Sequence, residues 1–268
     1  MQRVACLAAL ACSSSCIAVQ VPEPPVSVQT AEGEVRASNR EDAERVAALL
    51  VELAPKVREI LVETRAEPPQ VYVLEWDVPK FGDGSNYDGR ILMNGRSRPR
   101  ERFCLAHELV HWQITGAWEL LPHTAQEGLA DRVAAQLAPE TRVERELMLA
   151  YQLQWGSLRD PMDALKLSTR EWSGVRNTWD RFSLYGVGYF IVARIGIEDL
   201  HAMCAEAKAE ERISVLPMEL LERARLSPYD VREWKADIDA IVFADPGAIA
   251  AWSDEVKRPG EVRATQPR

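Results

Sequence analysis

The apolar positions fall into two regimes. Val46, Leu49, Leu50, Leu53, Val57, Ile60 and Leu61 recur at three- and four-residue spacing, which predicts an amphipathic helix starting near Ser38. Ser38 followed three residues later by Glu41 suits a helix N-terminus, and Pro68-Pro69 stops the pattern. Residues 71–76 alternate and are rich in β-branched and aromatic side chains, so they predict a strand; residues 90–94 predict a second. Between them, 81–89 is crowded with Gly, Asp and Asn and reads as a turn-rich loop. From Glu101 onward helical spacing takes over. Helices are expected over 100–115 (closed by Gly116), 121–137 (ended by Pro139), 140–154, 179–195, 198–208, 217–225 and 229–242. The fold class expected is α+β and mostly helical. Its body is residues 38–256, with a small N-terminal sheet and the first helices in 38–138 and a helical subdomain in 139–256.

The flanks read differently. Val21-Pro-Glu-Pro-Pro-Val opens a segment, 21–37, that reads as a stiff extended tether. Ahead of it, Arg3 precedes an apolar run over 4–11 that is too short to span a bilayer. Leu10-Ala11-Cys12 followed by three serines resembles a bacterial lipoprotein signal, which implies a lipidated Cys12, a membrane anchor and an extracytoplasmic location. Cleavage after Ala18 is the alternative, and an apolar terminus outside the fold is the plainest one. Residues 257–268 form a polar tail.

Composition narrows the function classes. Of 268 residues, 47% are apolar and 27% charged, which is ordinary for a folded chain and wrong for a disordered one. Asp and Glu number 41 against 32 Lys and Arg, a formal charge of −9 that argues against nucleic acid as a partner. Three of five cysteines precede residue 20, leaving Cys104 and Cys204 as small buried apolar residues or, alternatively, one pair.

The chemistry concentrates at His107-Glu108-Leu109-Val110-His111. Positions four apart share a helix face, so both imidazoles can reach one ion, and zinc suits such nitrogen ligands. Glu108 can face a water on that ion as general base. Glu127 and Asp131 follow on the next helix, again four apart. Glu127 can complete a site of two histidines and one glutamate, while Asp131 can hold a ligand imidazole by its other nitrogen. The plain alternatives are a solvated helix face for the histidines and a cap formed by Glu127 with Thr124.

His-Glu-Leu-Val-His with Glu127-Gly-Leu-Ala-Asp131 resembles the gluzincin metallopeptidases. The nearest branch is the peptidase MA-like group, related to aminopeptidase N and more distantly to thermolysin. The resemblance implies a zincin-type active-site helix, zinc on His107, His111 and Glu127, and Asp131 as partner of His107. Residues 184–190, Leu-Tyr-Gly-Val-Gly-Tyr-Phe, resemble the helix whose tyrosine stabilises the oxyanion. This points to Tyr185, with Tyr189 in reserve; both are also natural core residues. The substrate-pairing strand implied is 90–94. The aminopeptidase signature is absent there, since Met93-Asn94-Gly95 lacks its glutamate, and this favours an endopeptidase or another specificity over an aminopeptidase.

The function expected is therefore that of a membrane-tethered zinc metallopeptidase acting on a peptide or protein substrate. The alternative is a zinc-stabilised scaffold lipoprotein without turnover, in which His123 closes the fourth position on the metal. Otherwise His123 reads as a pocket-rim residue, and His201 as surface or packing. Trp112, Trp118, Trp155, Trp172 and Trp179 read as core or pocket wall. Arg96, Arg98, Arg100 and Arg102 read as a solvated loop before the active-site helix.

Overall fold

The computed structural model describes residues 21, 23–75, 84–87, 89–95, 98–175, 177–247 and 249–250. The leader with Cys12, Trp76, Arg96 and the tail lie outside them. The fold is α+β and mostly helical, with a five-stranded mixed sheet at the N-terminal end.

Strands β1 (Val26–Thr30) and β2 (Gly33–Ala37) form an antiparallel hairpin. This corrects the tether reading of 21–37. Val26 and Val28, then Val35 and Ala37, recur at period two around a turn ending at Gly33, and Val35 and Ala37 are fully buried. Helix α1 (Arg40–Ile60) follows, capped by Asn39, whose Oδ1 accepts from the Asp42 N–H, rather than by Ser38. α1 carries the chain across the sheet to β3 (Gln70–Leu74), which pairs parallel to β2.

A second correction concerns the turn-rich loop, because β4 (Gly84–Tyr87) lies within it. It pairs antiparallel to β5 (Arg90–Asn94), which in turn pairs parallel to β3. The sheet order β1-β2-β3-β5-β4 puts β5 inside the sheet and β4 at its edge. Residues 90–94, expected as the substrate-pairing strand, therefore have both sides occupied.

Helices α2 (Glu101–Gln113) and α3 (His123–Leu137) bring the ligand candidates together, while a 3-10 turn, Gly116–Leu120, links them. α2 ends at Gln113 rather than Thr115. Gly116 adopts φ +61° and turns the chain so that the Ala117 N–H donates to Glu63. α4 (Pro139–Trp155), α5 (Pro161–Lys166) and α6 (Thr169–Gly174) come next. α7 (Thr178–Ile195) carries its charges near its ends, is largely buried over 183–192 and runs through the interior, touching α3, α4, α8 and α9. α8 (Ile197–Ala209) and α9 (Pro217–Ala224) pack on it, and α10 (Lys235–Val242) packs against α4.

One apolar core is continuous from Val35 to Val242, so the sheet and the helical subdomain share it. Trp118 and Trp172 belong to that core, whereas Trp155 is 75% exposed and is not a wall residue. Cys104 and Cys204 are buried thiols rather than a cross-linked pair. The basic run is not simply solvated: Arg98 pairs with Asp42, Arg100 with Glu144 and Arg102 with Glu52.

Candidate metal centre

Two helix faces build the site. On α2, His107 and His111 stand one turn apart; on α3, Glu127 and Asp131 do the same. The helices are pressed together because Phe103, Ala106, Leu109 and Val110 are buried on one, and Leu129, Ala130 and Ala134 on the other. α7 closes the site from behind. There Gly128 meets Gly188 so closely that a Cβ on Gly128 would overlap the Gly188 backbone.

His107 Nε2, His111 Nε2 and Glu127 Oε2 converge. The imidazole nitrogens lie 3.1 Å apart, and each is 3.3 Å from the carboxylate oxygen. A tetrahedral zinc with bonds of ~2.0–2.1 Å separates its ligand atoms by about 3.3–3.4 Å, so the triangle fits such an ion closely. These three residues form a group able to hold a metal ion. Glu127 is not a helix cap, since Thr124 Oγ1 donates instead to the Ala164 carbonyl.

The surroundings orient the donors. Asp131 is fully buried and its Oδ1 lies 2.9 Å from His107 Nδ1. With Nδ1–H donating to Asp131, the lone pair on Nε2 faces the centre of the triangle. Burial alone would make the His107 imidazolium unfavourable. Hydrogen bonds to Asp131 and Glu127 and the charges of both outweigh it, raising the pKa to about 10 when no cation is present. Burial likewise raises the carboxyls of Glu127 and Asp131, but His111 and His107 pull the first well below its usual range. Arg145 and His107 lower the second. The site is a buried anionic cradle, and a metal ion would compete with the proton on His107.

Glu108 lies beside this triangle. Burial pushes its carboxyl up, opposed by the charges of His107 and His111. Asn86 on β4 donates its Nδ2–H groups to Glu108 Oε2 at 2.7 Å and to the Glu108 carbonyl at 2.9 Å. Gly84 on the same strand leaves just enough room, because an added Cβ would stand 2.9 Å from Glu108 Cγ.

Tyr185 faces the site from α7, its ring centroid 6.1 Å from that of His107. Burial and the neighbouring carboxylates of Glu127 and Asp131 keep its phenol protonated far above the usual range, so it remains a donor. Tyr189 is directed elsewhere. Its hydroxyl donates to Glu146 Oε1 at 2.5 Å and accepts from Arg132 at 3.0 Å. His123 lies at the rim with Nε2 3.4 Å from Glu127 Oε1, and Trp172 packs edge-on against both His123 and Tyr185. His201 is remote, packed on Trp118.

Two residues of the site were not legible in the sequence. Asn86 sits in a polar four-residue strand that reads as a turn. Arg145 reaches Asp131 from α4, and its only sequence signal is a charged position beside the buried stripe Val143, Glu146 and Leu149. No protein family matches the chain, and neither a curated protein nor a solved structure does so.

Proposed function

We propose that the chain is a zinc metallopeptidase with a gluzincin-type core, anchored outside the cytoplasm through Cys12. The observation that carries this reading is the triangle of His107, His111 and Glu127 with a buried carboxylate, Glu108, within electrostatic reach of all three. Zinc bound there supplies a Lewis acid and an acidified water. Glu108, with its raised pKa, takes a proton and later returns one to the leaving amine. Tyr185, kept as a neutral phenol, donates to the oxyanion. The outer side of β4, which pairs with no other strand among the described residues, and not β5, is where an extended peptide backbone would pair.

The second reading is a zinc-stabilised scaffold, favoured by the approach of His123 to Glu127 Oε1. Two variants separate the readings, assayed for zinc content and for cleavage of unstructured protein substrates. For a peptidase, Glu108→Gln keeps about one zinc per chain and loses turnover by roughly two to four orders of magnitude. His123→Ala keeps its zinc. For a scaffold, Glu108→Gln changes nothing and His123→Ala sheds the metal. His111→Ala should lose the zinc under both readings, and full retention by that variant refutes the site itself.

A further inference from the structure

We propose that Arg145 is a positioning residue that sets the orientation of the metal ligand His107, acting through Asp131. The proposal rests on the metal site of the preceding reading but not on peptidase activity.

The geometry divides the Asp131 carboxylate between two neighbours. Oδ1 faces His107 Nδ1 at 2.9 Å. Oδ2 accepts from Arg145 twice, from Nε at 2.9 Å and from Nη2 at 2.5 Å. Asp131 is fully buried, so bulk solvent does not compete for its carboxylate. With two donors of one rigid group on Oδ2, Oδ1 is left in a fixed place for His107.

The guanidinium is itself held in plane. Its central carbon lies 5.0 Å from the Tyr185 ring centroid, 5.3 Å from that of Phe182 and 5.7 Å from that of Phe103. Those rings come from α7 and α2, so Arg145 on α4 ties three helices to a carboxylate on a fourth, α3. A chain of contacts runs from the aromatic box through Arg145 and Asp131 to His107 Nδ1. Lysine keeps the charge but has neither the fork nor the plane. A simple ion pair between α3 and α4 would need only charge, and this difference makes the two roles separable.

The test uses cobalt(II) as a spectroscopic stand-in for zinc in the full-length protein. Arg145→Lys should fold, bind cobalt about 10- to 100-fold more weakly and show altered d–d absorption, as expected when an outer partner of a ligand is disturbed. Arg145→Met leaves Asp131 Oδ2 buried without a donor while Oδ1 keeps His107, so it is compared with Asp131→Asn and with the double variant, in which both charges are gone. If Arg145 acts through Asp131, adding Arg145→Met to Asp131→Asn costs no further cobalt affinity. The proposal is overturned if Arg145→Lys binds cobalt with the parent's affinity and spectrum. It is equally overturned if the two losses simply add. A parent that binds cobalt but cleaves nothing would sink the peptidase reading alone.

Discussion

Glu108 is held from two directions by one short strand, and this makes its placement sensitive to small changes. Asn86 grips both its carboxylate and its carbonyl, while Gly84 leaves its stem no slack. Asn86→Ala should therefore leave zinc content unchanged and lower kcat about 10- to 100-fold, the scale of loss expected when a reacting group is misplaced by about an ångström. Steady-state kinetics beside elemental analysis would check it; an unaltered kcat would show that Glu108 needs no such grip. The grouping of the candidate ligands was readable in advance because i, i+4 spacing is a local property: His107 with His111 and Glu127 with Asp131 each share a helix face wherever those helices go. Asn86 and Arg145 were not, since their roles depend on which strand borders α2 and which helix crosses α3. No local pattern encodes either neighbour.

Contacts between elements decide whether these faces meet. Where α3 crosses α7, glycine lies on glycine, and a Cβ on Gly188 would overlap the Thr124 carbonyl. Gly188→Ala should force the helices apart, destabilise the protein by about 1–3 kcal/mol or more, and shift Tyr185 away from His107. Urea unfolding would report the first effect, and a fall in kcat of the folded fraction the second. Where α7 meets α4 the packing carries a pH-dependent contact. Tyr189 on α7 donates to Glu146 on α4, whose carboxyl burial pushes above 4.5 despite that bond. A carboxyl raised on folding binds its proton more tightly in the native state. Stability is therefore lost as pH rises from about 4.5 through the raised value, the reverse of an ordinary salt-bridged acid. Glu146→Gln should flatten that slope in unfolding curves between pH 4 and 7; an unchanged slope assigns the dependence elsewhere. The longer helices were legible here because their periodicity is repeated, with most ends displaced by only a few residues, whereas α5 and α6, six residues each, are too short to show a period and were missed. The hairpin of β1 and β2 was obscured because Pro22 to Pro25 dominate the reading of a segment whose alternation begins just beyond them.

Because one core runs from the sheet to α10, the protein does not need a metal to bury its apolar side chains. The candidate ligands nevertheless come from two helices, both packed on the sheet side or on α7, so an ion that binds only the native arrangement must stabilise the whole unit. Zinc at 100 times its dissociation constant adds about 2.7 kcal/mol to the unfolding free energy. For a chain of this size each kcal/mol moves Tm by about 2–4 °C, so chelator-stripped protein should melt about 5–11 °C lower than the zinc-loaded form. His111→Ala should melt at one temperature with or without zinc, as that imidazole supplies one corner of the triangle. Magnesium should not substitute, because it prefers oxygen ligands in octahedral array over two imidazoles. A zinc-dependent rise that survives in His111→Ala would place the ion somewhere other than this site. The absence of any rise in the parent would leave the triangle as a proton-holding cluster: an imidazolium at His107 shared between two carboxylates.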